Sequence, residues 1–341
     1  MRSVTLAFLV PLGLLVATPA ALAAQVPTPV AACTVTDPEL GELSGLAADD
    51  GHWYATNDGG TAATVFVLGK DCQVEDVVTG AIDPYDVEDM ARAKDGTFWL
   101  SDTGDNDNDR ETVALISLTP GGESTLYRLT YPDGKHDAEA LLLDPAGTPF
   151  IVTKSALGTA DVYRPAGPLT SPGPTPLRHV LAVRLNSTDT PGGPVPGVVG
   201  SVTVTGAATS PDGTAIALRT YTDAYLFPME DGDVVGALSA KPVRIPLPNE
   251  VQGEAIAFQP DGSLLSASEG VGEPVNVVAG AARLVAPEPA PEKPEPASAS
   301  DSTESSPATE GLPAIPATVV TVVVVAGVYL LFRALRRRKA Y

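Results

Sequence analysis

Positive charge is scarce in this sequence. Only 21 residues are lysine or arginine, against 42 aspartates and glutamates, and the formal net charge is −21. The one basic cluster lies near the C-terminus, from Arg333 to Lys339. Nucleic-acid binding needs a basic stripe that displaces counterions from phosphates, so the acidic main part of the chain argues against a nucleic-acid partner.

Residues and motifs that mark common catalytic sites are also few. The chain has three histidines, and it contains no Gly-x-Ser-x-Gly, His-Glu-x-x-His or phosphate-binding Gly-Lys-Ser/Thr motif. Acyl transfer by a serine triad therefore has no support in the sequence. Two cysteines without a paired histidine motif likewise argue against a zinc site.

The two cysteines, Cys33 and Cys72, are predicted to form a disulfide, since an exported chain with an even pair of cysteines usually oxidises them. The bond would tie a lead-in strand to the outer part of the first repeat. It would stabilise the fold by about 4 kcal/mol in the chain-entropy model. The alternative is a pair of free thiols.

The two ends of the chain indicate export and a membrane anchor. Residues 1–23 combine a basic start, an apolar run and a small-residue cleavage pattern, which predict a signal peptide, with an N-terminal anchor as the alternative. Residues 287–311 are rich in Pro, Glu and Ser and predict a disordered stalk. Residues 312–332 are apolar, uncharged and long enough to span a bilayer. The basic residues 333–341 then predict a short cytoplasmic tail.

This arrangement predicts a single-pass protein of the cell membrane, bound to the membrane by its C-terminal span, with the N-terminal domain extracellular. Covalent attachment to the cell wall is the alternative. The residues before the span, Leu312-Pro313-Ala314-Ile315, lack the Thr-Gly pair of a sortase signal, which argues against it.

Residues 24–286 repeat one short pattern five times: an apolar strand, a turn with a glycine, and a second apolar strand. The turn glycines are separated by 45, 51, 66 and 49 residues and are Gly51, Gly96, Gly147, Gly213 and Gly262. Several short strands in units of about 40–50 residues are typical of β-propeller blades. The sequence therefore predicts an all-β, five-bladed propeller. Six blades is the alternative, with Leu177–Leu185 in a degenerate blade. The fourth strand of the last blade is predicted at Arg283–Val285, and no amphipathic helix is predicted.

The polar residues that open the five first strands form the predicted site. In a propeller, the innermost strand of each blade begins at the face where the second strand ends. The residues that open the strands are Ser44, Glu88, Glu139, Thr205 and Glu254, and those at the second-strand ends are Asn57, Asp58, Asp102, Lys154, Arg219 and Glu269. The five strand-opening residues predict an oxygen-rich ring at the mouth of a central channel, with the second-strand ends just outside it. Glu88, Glu139 and Glu254, with Asp102, would bind Ca²⁺, and the other residues would contact a ligand. The alternative is that these residues cap strand ends around a water-filled channel.

Three further roles are predicted near this ring. The acidic loop Asp102–Asp109, with Asp105, is a second cation candidate, although it lacks the glycine and glutamate of an EF-hand; a solvated turn is the alternative. Lys154 and Arg219 would hold an anion, or else pair with ring glutamates. His136 is placed to act as a general base, with an exposed loop histidine as the alternative.

Nine short motifs occur in order along residues 24–286. They are Glu42–Ala47, Asn57-Asp58-Gly59, Val87–Ala91, Ser101–Asn106, Asp137–Leu142, Val152–Lys154, Ser210–Gly213, Leu218–Tyr221 and Gly253–Ala257. As a set they resemble those of a group of exported, largely actinobacterial propeller proteins without an established activity, which are distantly similar to phytase-like and esterase-like propellers. The resemblance implies a propeller fold. The phytase-like likeness implies calcium at an acidic mouth, with Lys or Arg holding phosphate.

The expected function is a cell-surface binding module whose acidic, calcium-binding mouth engages a small molecule or protein. One alternative is a metal-dependent hydrolase of phosphoesters or lactones. The other is a protein-interaction scaffold without a small-molecule site, which an exposed apolar patch on the opposite face would favour.

Overall fold

Twenty strands and a few short helices form the regular structure of the chain that the computed structural model describes, which is residues 26–195 and 197–286. The predicted signal peptide, stalk, membrane span and tail lie outside these residues. Within the described ranges, no helix is long and apolar enough to cross a membrane.

The strands form five antiparallel blades of four strands each, ordered from the channel outwards. The first three blades are β2 Leu43–Ala48, β3 Trp53–Asn57, β4 Thr64–Leu68 and β5 Val74–Thr79; β6 Val87–Arg92, β7 Phe98–Asp102, β8 Val113–Leu118 and β9 Ser124–Thr130; and β10 Ala138–Leu143, β11 Pro149–Thr153, β12 Thr159–Pro165 and β13 Thr175–Arg184. The last two are β14 Val204–Thr209, β15 Ala215–Thr220, β16 Asp223–Pro228 and β17 Val243–Pro246; and β18 Gly253–Phe258, β19 Leu264–Ser268, β20 Pro274–Val278 and β1 Val30–Thr34.

The five blades close into a ring around a central channel. Each innermost strand contacts the innermost strand of the next blade, and β18 contacts β2. Five hydrophobic clusters fill the five seams between neighbouring blades. Each blade is therefore apolar on both sides: Leu141 packs towards the second blade and Leu142 towards the fourth. The chain has a β-propeller-like fold with five blades, and Leu177–Leu185 belongs to the third blade rather than to a sixth.

The last blade is completed by the N-terminal strand, which corrects the sequence prediction. Arg283 lies in a short 3-10 helix, Ala281–Leu284, and β1 takes the fourth position by pairing with β20. The N-terminal strand takes this position because its backbone hydrogen bonds to β20 close the ring between the two ends of the propeller. Cys33 in β1 bonds to Cys72 in the first blade, so the predicted disulfide is confirmed and spans this seam.

The turn between the first two strands of a blade explains the repeated glycine. In four blades the turn glycine has a positive φ, at Gly96, Gly147, Gly213 and Gly262. Its amide donates to the carbonyl of the third residue before it, as Gly96 does to Ala93. Glycine adopts this left-handed conformation without a steric penalty, and the turn therefore recurs with the glycine.

Blades two and three are joined at their outer edges. Strand β13 pairs with β9 in parallel, with Thr175 opposite Leu129, and the two blades share one eight-stranded sheet. Two short helices that the sequence did not predict lie in connections: α1, Val198–Val202, before the fourth blade, and α2, Val234–Ser239, within it.

Candidate metal centre

The five residues predicted to open the innermost strands share one backbone feature. In every blade a β-bulge interrupts the pairing of the first two strands at this position. The bulged residues are all buried and are Ser44, Glu88, Glu139, Thr205 and Glu254. A bulge leaves one residue outside the ladder and redirects its side chain. The repeated bulge therefore sets these residues apart at the face where the innermost strands begin, which we call the mouth face.

Two of the five bulged residues join neighbouring blades rather than carry charge. The Ser44 hydroxyl donates to the Glu88 carbonyl of the next blade. The Thr205 hydroxyl donates to the Gly253 carbonyl, at 2.8 Å. Both hydroxyls are used within the fold.

Glu88 lies at the centre of two carboxylate triads that could hold a metal ion. One triad is Asp58, Asp86 and Glu88, and the other is Glu88, Asp137 and Glu139. Within each, one oxygen from each residue lies within 4.8 Å of the others. We call these five residues the acidic cluster. Oxygen ligands at this spacing suit a hard divalent cation.

The acidic cluster is electrostatically strained. Burial, and then the charges of Glu139, Asp58 and Asp86, raise the pKa of Glu88 to about 11. Burial raises the pKa of Glu139 to about 8, although Lys154 opposes the rise. Burial, the shared hydrogen bond with Asp86 and its charge raise the pKa of Asp58 to about 7. Carboxylates that resist ionisation in this way are stabilised by a bound cation.

Glu139 has one oxygen with a partner and one without. Its Oε1 accepts from the ammonium of Lys154, while its buried Oε2 has no hydrogen-bond partner. The side chain is nearly sealed from solvent, at 3% exposed. A buried oxygen without a partner is costly, and a bound cation would satisfy it.

The backbone of the loop after β7 closes one side of the cluster. At Gly104, a methyl group would overlap Glu88 Oε1 and Asp86 Oδ2. A larger residue at this position would therefore force both carboxylates to move.

The other predicted mouth residues form a neighbouring pair. Glu254 and Glu269 face each other across a shared hydrogen bond, and Gln252 donates to Glu254 at 3.1 Å. Burial raises the pKa of Glu254 to about 7, and burial together with Glu254 raises the pKa of Glu269 to about 8. The pair lies beside the acidic cluster but is not part of either triad.

Arg219 does not reach the mouth, unlike Lys154. It is completely buried and forms an ion pair of 2.6 Å with Glu250. Its other nitrogens donate to backbone carbonyls, including those of Ala255 and Ala267. The structure places Arg219 in the seam between the fourth and fifth blades, because it lies on the same face of β15 as Ala215 and Ala217, which face that seam.

Asp102, Asp105 and Asn57 also make structural contacts. Asp102 accepts from the Asp86 amide and from Arg110, at 2.9 Å each. Asp105 accepts from the amides of Asp109 and Arg110, so its loop folds around its own carboxylate. The Asn57 amide donates to the Glu39 carbonyl. None of these three side chains belongs to a triad among the described residues.

His136 lines a cavity of 390 Å³ beside the acidic cluster, together with Lys154, Asp137 and Tyr221. Its Nε2 lies 3.1 Å from both Asp133 Oδ1 and the Tyr163 hydroxyl. The imidazole is thereby held at the rim of a cavity that also contains a triad carboxylate and an ammonium.

Asp86 and Asp137 were not among the predicted site residues. Each lies two positions before a bulged glutamate, in Asp86-Val87-Glu88 and Asp137-Ala138-Glu139. The repeated Asp-x-Glu pattern at equivalent blade positions is the signal that would have identified them.

Comparisons with known proteins give little beyond fold. No protein-family model matches the chain, and no curated protein matches it. The glutaminyl cyclase of Myxococcus xanthus aligns at 12% identity and a TM-score of 0.43, over 74% of this chain and 96% of its own. A virginiamycin B lyase from Staphylococcus aureus aligns at 13% identity and 0.37, over 69% of this chain and 66% of its own. A putative gluconolactonase aligns at 14% identity and a TM-score of 0.38, over 67% of this chain and 70% of its own. Such likeness carries no activity to this chain, and the fold assignment rests on its own strand topology.

Proposed function

We propose that this chain is a divalent-cation-binding propeller module that holds Ca²⁺ at the mouth of its central channel and engages a ligand there. The observation that carries the proposal is that Glu139 belongs to a triad with Glu88 and Asp137 and has a buried Oε2 without a hydrogen-bond partner. Calcium prefers several oxygen ligands and neutralises like charges that burial has brought together. Lys154 would act as a partial substitute for the ion when the site is empty.

Titration calorimetry of residues 24–286 with CaCl₂ and MgCl₂ tests this proposal. We expect Ca²⁺ to bind, to raise the melting temperature and to be released by a chelator. Glu139→Gln removes one ligand charge with little change in shape and should weaken binding by at least about tenfold, or about 1.4 kcal/mol. Glu123→Gln, on an exposed turn, is the matched control. Absence of Ca²⁺ binding, or equal binding by both variants, would contradict the proposal.

A hydrolase that uses the same cation is the second candidate function. It is favoured by one observation, namely that His136, Asp137 and Lys154 line a single cavity. In this reading His136 moves a proton and Lys154 holds the anion of a phosphoester or an opened lactone. A panel of phosphoesters, esters and lactones, assayed with and without Ca²⁺, is the test. Activity that survives both His136→Gln and Glu139→Gln would exclude this site.

We also propose that the module is displayed outside the cell and held by residues 312–332 in the membrane. Support comes from the apolar run and the basic residues after it. Protease treatment of intact cells should remove the propeller epitope and leave a membrane-bound C-terminal fragment.

A further inference from the structure

Exposed apolar side chains are concentrated on the mouth face. Nine large hydrophobic residues are exposed among the described residues. Six of them lie in loops that connect one blade to the next or join the second and third strands, and these loops all open onto the mouth face. The six are Tyr85, Leu157, Val195, Val198, Val251 and Val271.

The opposite face differs sharply. Its loops, which join the first and second or the third and fourth strands of each blade, contain none of the nine residues. The remaining three, Val26, Val30 and Val77, lie near or within strands at the outer edge. Scattered exposed valines are ordinary, but six exposed apolar residues on one face, with none in the loops of the other, indicate that this face is an interaction surface.

The loop that carries Val195 and Val198 is anchored at its base. Thr188 and Thr190 donate to the buried Asp223 at 2.6 and 2.8 Å. The Gly193 amide donates to the Glu250 carbonyl at 2.8 Å. The fold therefore supports the position of these exposed valines beside the cavity that contains Lys154.

The centre of this face is strongly acidic. The acidic cluster, Glu254, Glu269 and Glu42 interact with one another, and Lys154 is the cation among them. The contact of the Lys154 ammonium with Glu139 shows how a basic side chain is received there.

We infer that the mouth face docks a partner protein through a segment in which lysine or arginine side chains alternate with apolar ones. The basic groups would enter the acidic centre, and the apolar groups would cover Leu157, Val195 and Val198. Charge complementarity selects this occupant, since an anionic lipid surface or a second acidic mouth face would be repelled. The inference goes beyond the cation site and does not require an ion to be bound.

Synthetic peptides provide the test. A short peptide of alternating leucine and lysine is compared with a leucine–glutamate peptide and a glycine–lysine peptide of equal length, by fluorescence anisotropy on residues 24–286. We expect the leucine–lysine peptide to bind at least about tenfold more tightly than either control. Binding in chelator as well as in Ca²⁺ separates this surface from the cation site. Equal binding of all three peptides, or preference for the acidic one, would overturn the inference.

Matched variants locate the surface. Leu157→Ser with Val198→Ser should weaken leucine–lysine binding by about tenfold, whereas Val26→Ser with Val77→Ser, away from this face, should leave it unchanged. Circular dichroism melting shows that both variants remain folded. An equal effect of the two pairs, sedimentation with phosphatidylserine vesicles, or self-association of the unmodified protein through these residues would each contradict the proposal.

Discussion

Buried carboxylates occur in two regions of this protein and have opposite surroundings. In the interior, Asp89 accepts from the amides of Met90, Leu141 and Ala207, which belong to three different blades. Glu250 accepts from Ser266, Asn276 and Arg219. At the mouth, Glu88 and Glu139 are equally buried, yet they face other carboxylates, and one Glu139 oxygen has no partner.

Because these carboxylates are equally buried but differ in their hydrogen-bond partners, burial alone does not reveal the role of a charged group. The interior carboxylates have donors from several blades and hold the ring together. Among the described mouth residues, Lys154 opposes the raised pKa values of Glu88 and Glu139, and an exchangeable cation would complete their neutralisation. The same kind of charge-neutralising substitution should therefore affect the free energy of unfolding differently in the two regions.

The largest effect is expected at Arg219. Arg219→Met leaves Glu250 buried without its charge partner, and we expect the free energy of unfolding to fall by about 3–5 kcal/mol. Urea denaturation measures this change. Arg184→Met, on an exposed strand position, is the control and should change stability by less than about 0.5 kcal/mol. Similar midpoints for the two variants would show that the interior pair is not structural.

A smaller loss is expected at Asp89. Asp89→Asn puts an amide nitrogen against a backbone N–H, so at least one of the three amides loses its acceptor. We expect destabilisation by about 1–3 kcal/mol in the same urea experiment. Asp50→Asn is exposed and should have almost no effect. A neutral outcome at Asp89 would remove the distinction between the two regions.

The stability of the cation-free protein should depend on pH. The folded-state pKa values of Asp58 and Glu254 are raised to about 7, and those of Glu139 and Glu269 to about 8. The unfolded chain therefore releases these protons at lower pH than the folded protein does. The contribution of these groups to the free energy of unfolding is therefore fully present below about pH 4 and is lost as the pH rises through about 7–8.

Melting temperatures in chelator across this pH range measure the effect. Replacing both Glu139 and Glu254 by glutamine should flatten the fall, and Glu123→Gln should not. A melting temperature that rises steadily towards pH 8 without cations would contradict the strain inferred at the mouth.

The smallest effect is expected for Glu88→Gln in chelator at pH 8. Because its raised pKa of about 11 keeps Glu88 protonated at pH 8, replacing it with a neutral amide should change the free energy of unfolding by less than about 0.5 kcal/mol, whereas Asp89→Asn is destabilising. The same variant should lose stabilisation by Ca²⁺. Thermal melts with and without CaCl₂ give both numbers, and a destabilised variant would place Glu88 with the interior carboxylates.

Much of the fold could be predicted because each blade has a local sequence pattern that can be recognised without the other blades. The turn glycines and the apolar strands that follow them are local signals, and they place five hairpins in order. The polar residues that begin the innermost strands could be aligned by the same repeat. The repeat could not show that the hydroxyls of Ser44 and Thr205 donate to backbone carbonyls of the next blade, because that contact depends on the neighbouring strand.

The errors have a common cause. Arg219 and Lys154 were predicted at equivalent second-strand ends, but Arg219 pairs with Gly206 inside β15, whereas Lys154 follows the last residue of β11. The side chain of Arg219 therefore lies in a seam, and that of Lys154 lies at the mouth. The strand predicted at Arg283–Val285 was displaced by β1, which comes from the other end of the chain. Both outcomes depend on groups that are distant in sequence.

The strand repeat, the acidic character and the glutamates near the start of three innermost strands follow from the amino-acid sequence alone. Local turn chemistry and alternation of apolar residues are sufficient for this. Only the tertiary structure decided which carboxylates are paired and which face one another, because closing the ring brings Asp58, Glu88 and Glu139 together from three blades. Hydrogen bonding and charge repulsion act over a few ångströms, and the distances between side chains of different blades cannot be read from the sequence.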